Sequence, residues 1–218
     1  GFLERKQQKE YLTIKDARIN KFKIDWKNEK ISKPNFIGVK TIDNLDLNLL
    51  KDYIDWSPFF RTWDLHGRYP NILDDEIVGK QATELFIDAK KMLEKIISEK
   101  WLTAKGCFGI FRANSIEDDI EIFDSDLRKN SIHKFFTLRQ QSKKGGVVPN
   151  IALADFIAPK ETNIDDYIGT FCVSTGFGCD EKAKLFEDMN DDYNSIMIKA
   201  LADRLAEAFA EYLHKEIR

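Results

Sequence analysis

Cysteine, histidine and proline are scarce in this chain, and each shortage removes a class of function. The 218 residues hold three cysteines, Cys107, Cys172 and Cys179, and three histidines, His66, His133 and His214. No cysteine pair has metal-ligand spacing and no histidine has a His-x-x-x-His or Cys-x-x-Cys partner, so a metal site is not expected. An odd, sparse cysteine set suits a reducing cytoplasm rather than a disulfide framework. No apolar run approaches the roughly 20 residues that span a bilayer, and a secretory signal is not expected. A net charge of -3 gives no general pull on nucleic-acid phosphates or anionic membranes. The short basic pairs Lys90-Lys91 and Lys143-Lys144 sit among acids and read as solvated surface.

Phosphate-binding glycine loops are missing as well. Lys143-Lys144-Gly145-Gly146 lacks the Gly-x-x-x-x-Gly-Lys-Ser/Thr frame and reads as a flexible turn. Gly176-Phe177-Gly178 follows a strand pattern and precedes a helix pattern, but Glu181 occupies the place of the third glycine. A tight turn with Asp180 as helix N-cap is the expectation there.

What remains is an ordinary globular composition, 43% hydrophobic and 33% charged, in a chain long enough to bury a sizeable core. Leu45, Leu47, Leu49, Leu50, Tyr53 and Ile54 give residues 43–54 a short helical pattern. Ser57-Pro58 then predicts an N-cap followed by proline at the first helical position, with a short helix from Pro58 to Trp63. Apolar residues from Ile77 to Ile97 recur with a period near 3.6 and predict a long amphipathic helix within 75–100. Strands are predicted at 107–111 and 120–123, joined by a turn through Asn114, Ser115 and Asp118. Further strands are predicted at 135–141, 151–157 and 167–174. From Asp180 onward the pattern is helical, as two helices meeting near Asp191 and Asp192. Hairpin-like strand succession with two long helices predicts an α+β fold with a mainly antiparallel sheet.

Two acids stand out. Asp55 lies in Tyr53-Ile54-Asp55-Trp56-Ser57-Pro58-Phe59-Phe60-Arg61-Thr62-Trp63, among five aromatic rings. A carboxylate beside such rings suits a ligand with a cationic end and a flat base. The plainer alternative is a helix-capping aspartate next to a buried tryptophan. In the last helix Leu201, Leu205, Phe209 and Tyr212 form one apolar stripe. Glu207 projects about 160° away from Leu205 at about 100° per residue, with Ala202, Ala206 and Ala210 as small neighbours. It is either a ligand contact reached across those alanines or an exposed acid on an alanine-rich face.

The run from Tyr53 to Trp63, together with Asp191-Asp192-Tyr193-Asn194-Ser195 and Ala202-Asp203-Arg204-Leu205-Ala206-Glu207-Ala208-Phe209, closely resembles the activation domain of cobalamin-dependent methionine synthase. The resemblance continues, in one order, through Gly67-Arg68-Tyr69-Pro70-Asn71, Asp118-Asp119-Ile120-Glu121-Ile122-Phe123, Ala154-Asp155-Phe156-Ile157-Ala158-Pro159-Lys160 and Asp166-Tyr167-Ile168-Gly169. It implies a C-shaped single domain over 20–218, around a twisted antiparallel sheet with long packing helices. Residues 1–19 are then the end of an interdomain connector.

The implied function is reactivation: S-adenosylmethionine is bound for reductive methylation of cob(II)alamin, within methionine biosynthesis. Asp55 and Glu207 are the implied ligand contacts, and no catalytic residue is implied. The chain would be part of methionine synthase, a 5-methyltetrahydrofolate–homocysteine methyltransferase, and inactive by itself. Cobalamin and zinc belong to other modules. Asp64-Leu65-His66 lacks the glycine of a cobalamin-ligating Asp-x-His-x-x-Gly motif, because Tyr69 stands in that place. Implied partners are the cobalamin-binding module and flavodoxin or a flavoprotein reductase, with no nucleic acid and no membrane.

One departure weakens the pattern. The family's Arg-Pro-Ala-Pro-Gly-Tyr-Pro segment is absent, since all five prolines stand elsewhere, at 34, 58, 70, 149 and 159. Half of the expected pocket is therefore not within these residues. That absence supports an alternative role: a docking module that caps a corrinoid protein or recruits its reductase without binding S-adenosylmethionine.

Overall fold

The structure is a computed structural model that describes residues 10–145 and 148–218. It divides into two compact units, one of residues 1–39 and 109–170, the other of 40–108 and 171–218. The first nine residues of the expected connector, and Gly146 of the expected flexible turn, lie outside the described residues. Residues 10–19 are folded. Helix α1 (Ile14–Ile19) is capped by Thr13, whose hydroxyl accepts from the Asp16 N–H, and Tyr11 makes a bridge with Ser142.

Five strands form one sheet: β1 (Gly38–Leu45), β2 (Thr103–Ile116), β3 (Asp119–Phe123), β4 (Ser131–Phe136) and β5 (Asp166–Phe177). The order is β1-β2-β3-β4, with β5 pairing β2. β2 and β3 pair antiparallel with Arg112 opposite Phe123, as do β3 and β4 with Ile120 opposite Phe135. The expected α+β fold with a mainly antiparallel sheet is therefore present.

The unit of 40–108 and 171–218 holds the main core. Helix α3 (Gly79–Ser98) buries Ala82, Leu85, Ala89, Met92, Leu93 and Ile96, the face that its period predicts. Helix α5 (Asp192–Ile217) buries Leu201, Leu205 and Phe209, while Tyr212 is half-buried against them. Short helix α2 (Trp56–Arg61) adds Trp56, Phe59 and Phe60. Each fully buried leucine, isoleucine, methionine or phenylalanine among them contributes about 1.5–3 kcal/mol by leaving water. The other unit has a smaller core of Ala113, Ile120, Ile122 and Ala154.

Five local expectations need correction. The helical pattern over 43–54 splits, because β1 runs on to Leu45 and a 3-10 helix follows from Leu47 to Tyr53, capped by the Asp46 carboxylate on the Asn48 N–H. Asn114 and Ser115 belong to β2, not to the turn. They are buried, with Asn114 donating to the Ala158 and Ile164 carbonyls and Ser115 to the Ile157 carbonyl. The turn is Glu117-Asp118 alone, with Glu117 at φ 55°. The strand expected over 151–157 is a 3-10 helix, Leu153–Phe156, because Asp155 folds back to accept from the Ala152 N–H at 3.0 Å. The third strand lies earlier than expected, at Ser131–Phe136. Helix α4 (Cys179–Asp188) has Gly178, not Asp180, at its N-cap position. The meeting of α4 and α5 falls as expected, with Asp191 capping α5 through the Asn194 N–H at 3.1 Å.

Candidate functional site

Asp55 is the N-cap of α2, two residues earlier than the Ser57 cap expected from Ser-Pro. Its Oδ1 accepts from the Ser57 N–H at 2.9 Å. Pro58, third in the helix, has no N–H to offer, so the cap can close only on Ser57. The Ser57 hydroxyl is thereby left to accept from the Tyr69 N–H at 3.2 Å, just before the cis Tyr69-Pro70 peptide. Oδ2 of Asp55 carries no hydrogen bond among the described residues, and the residue is exposed. One oxygen is thus committed to structure and the other is open to a ligand.

The neighbouring rings play a different part from the one expected. Trp56 is 8% exposed and Phe59 and Phe60 are fully buried. Trp56 meets Phe86 edge-on at 4.9 Å between centroids and Phe59 at 5.4 Å. These faces are occupied by one another, so the stacking surface expected beside Asp55 is not built from them. Their hydrophobic packing fixes α2, and hence the carboxylate at its start, against the core.

Glu207 lies on α5 opposite the buried stripe, with its side chain 60% exposed. Arg204, one turn earlier, donates Nη1 and Nη2 to the two carboxylate oxygens, the second at 3.0 Å. The Arg204 side chain is only 14% exposed, so it acts as the fixed member of the pair. This partner was missed in the sequence, although its i, i+3 spacing signals it. Asp203, Glu211 and His214 are exposed along the same side of the helix, and Phe171 of β5 meets the His214 ring edge-on at 5.0 Å.

Both acids belong to the same unit. The 3-10 helix Leu47–Tyr53 and α2, which flank Asp55, each pack against α5. Tyr53 meets Tyr212 edge-on at 5.6 Å, and its hydroxyl lies 3.0 Å from Lys215 Nζ. That hydrogen bond is the first cause raising the Lys215 pKa above the usual lysine value. The segment bearing Asp55 therefore runs along the C-terminal half of α5. Neither acid lines the clefts beside Asn44 and Lys100, beside Ser174 and Lys199, or beside Asp88 and Tyr193. One of those clefts holds Tyr193, whose hydroxyl lies 3.2 Å from Asp88; burial first, then that carboxylate, raises its pKa to about 12.

Two segments far apart in sequence, around Asp118 and Asp155, meet in the other unit. Arg139, fully buried, is held at 2.7 and 2.8 Å by Asp118 and at 2.6 and 2.8 Å by Asp155. It also donates to the Asn150 carbonyl at 2.7 Å, and Asp118 takes a further bond from Arg18 at 2.7 Å. Burial pushes the Asp118 pKa up, but the bonds from Arg18 and Arg139 outweigh it and leave the carboxyl below its ordinary value. Every donor direction here is filled by protein, which makes the cluster a structural clamp.

The family model described as vitamin B12 dependent methionine synthase, activation domain, matches residues 46–218. Among solved structures, the crystal structure of the MetH reactivation domain bound to AdoHcy is similar, with 48% identity and a TM-score of 0.88. The match covers 95% of this chain and 63% of that one, so the chain spans somewhat under two thirds of the solved protein's length. Among the described residues, no helix is long and apolar enough to cross a membrane.

Proposed function

The chain belongs to the vitamin B12-dependent methionine synthase activation-domain family, and from that premise we propose that it binds S-adenosylmethionine and presents its methyl group to the cobalamin of a neighbouring module. The observation that carries this reading is the 48% identity, over 95% of the chain, to a reactivation domain solved with AdoHcy. AdoHcy is S-adenosylmethionine less the methyl group and the positive charge of the sulfonium.

The sulfonium is already a strong electrophile, so the protein's share of the chemistry is binding and orientation, with no general acid or base. Asp55 offers its free Oδ2 to the ligand ammonium while the cap on Ser57 keeps the carboxylate from rotating away. Glu207 supplies a second negative charge, held in place by Arg204. Cobalamin, when bound by its own module, supplies the reduced cobalt that accepts the methyl. The electron comes from flavodoxin or a flavoprotein reductase, and the whole step serves the methyl transfer of methionine synthase. In this reading residues 20–218 are the activation domain and 1–19 a connector. The Arg-Pro-Ala-Pro-Gly-Tyr-Pro segment is not in the sequence, so binding by this stretch is expected to be weaker than by a chain that has it.

Retention of both acids, and likeness to a ligand-bound relative, favour this reading over docking without a ligand. Isothermal titration of S-adenosylmethionine into the chain is the test. A saturable 1:1 heat is expected, lost or weakened at least tenfold in Asp55→Asn. A folded chain, judged by circular dichroism, that gives no saturable heat at millimolar ligand would overturn the proposal.

A further inference from the structure

In sequence, Cys107 and Cys172 look unrelated. The strands bring them together. β5 pairs β2, and two contacts fix the direction and register of that pairing. A Cβ built on Gly106 would lie 3.1 Å from Val173 Cγ1 and 3.2 Å from the Cys172 carbonyl oxygen. Farther along, Arg128 donates to the Ala113 carbonyl and to the Asp166 carbonyl, each at 3.0 Å. Position 106 thus lies against 173, and the Arg128 guanidinium holds 113 near 166. Numbers rise along one strand as they fall along the other, so the pair is antiparallel. One step beyond Gly106 and Val173, Cys107 stands opposite Cys172.

The alternation of side chains agrees. Ala104 is buried, a side chain on Gly106 would meet the Phe209 ring at 3.0 Å, and Val173 packs on the same core. Residues 107 and 172 therefore share the opposite face of the sheet, and both cysteines are exposed and unbonded. Directly opposed residues of an antiparallel pair have Cα atoms about 4.5–5.5 Å apart, inside the span of about 4.4–6.8 Å that a disulfide requires.

We propose that Cys107 and Cys172 form a cross-strand dithiol, a modification site that low-molecular-weight disulfides oxidise. One thiolate attacks the small disulfide, forms a mixed disulfide and releases one small thiolate. The opposing thiolate then attacks the protein sulfur of that mixed disulfide, closes the Cys107–Cys172 bond and releases the second. Two protein thiols lose two electrons and two protons, and one small disulfide becomes two thiols. The covalent bond ties β2 to β5. Reduction by an excess of dithiol reverses it.

The test treats the folded chain with glutathione disulfide, quenches with acid, alkylates remaining thiols and maps the peptides by mass spectrometry. The expected product is a peptide pair joined through Cys107 and Cys172, lighter by two hydrogens, with loss of two of the three free thiols. Cys179 is only 6% exposed and should remain free until the chain is denatured. Cys172→Ser should stop at a glutathione adduct on Cys107 and lose one thiol. Separate adducts on both cysteines of the unsubstituted chain, a link that includes Cys179, or no reaction at either exposed thiol would each overturn the assignment.

Discussion

Arg204 grips both carboxylate oxygens of Glu207 from one turn earlier in α5. The arginine is nearly buried and the glutamate mostly in water. A pair so exposed on one side contributes little to stability, so the fold does not depend on Glu207. Glu207→Gln should leave the thermal midpoint almost unchanged while S-adenosylmethionine affinity falls about tenfold, as for loss of a charge-assisted hydrogen bond. Paired melting curves and titrations check this. Earlier melting with unchanged affinity would make the glutamate structural instead.

Asp55 has two tasks that substitution can separate. Asp55→Asn keeps an acceptor for the Ser57 N–H and removes the charge; Asp55→Ala removes both. The asparagine variant should melt like the parent, and the alanine variant should lose about 1 kcal/mol, the usual worth of an N-cap. Both should bind S-adenosylmethionine at least tenfold more weakly. Equal binding by Asp55→Asn and the parent would reduce Asp55 to a cap.

The contrast between those two acids shows what the sequence could and could not reveal. Periodicity located α3, α4 and α5, because a helix must place one apolar stripe against a core. The polar look of Asn114 and Ser115 misled, since buried polar groups that hold a loop are indistinguishable in sequence from turn residues, while Asp155, expected in a strand, instead caps a 3-10 turn and grips Arg139. Asp55 was legible both as an acid and as a possible cap, whereas the rings beside it were assigned to a ligand and instead fill the core. Composition tells that a ring prefers contact; it does not tell with what. The Arg139 clamp and the Cys107–Cys172 opposition depend on strand register, which local pattern does not carry.

The Arg18–Asp118 bond at 2.7 Å makes stability depend on pH. The Asp118 pKa is depressed in the folded chain, so its contribution is present above the unfolded value of about 3.9 and is lost as pH falls through the folded value. Arg18→Gln removes one donor and lets that pKa rise toward normal. The variant should be less stable than the parent at pH 7, and the difference should shrink as pH falls below about 4, toward the depressed value at which Asp118 of the parent takes up its proton. Denaturant unfolding at neutral pH and near pH 3 measures the gap. A gap that does not change with pH would place the role of Arg18 in packing rather than charge.

Gly178 decides how β5 hands the chain to α4. Its φ of +91° is a conformation that residues with side chains rarely adopt, and a Cβ there would lie 2.4 Å from the Trp101 carbonyl oxygen. That oxygen is backbone and cannot swing aside. Gly178→Ala should therefore cost more than the 1–2 kcal/mol or so of a left-handed residue alone. Gly169→Ala, earlier in β5 and with nothing within 4 Å of the new methyl, should be neutral or slightly stabilising, because alanine restricts the unfolded chain. Comparing the two in denaturant separates backbone strain and collision from simple loss of glycine. If Gly178→Ala unfolds like Gly169→Ala, the close approach to Trp101 is not maintained in solution. If it unfolds much sooner, Gly176-Phe177-Gly178 owes its second glycine to a crossing backbone, and a phosphate is not needed to explain it.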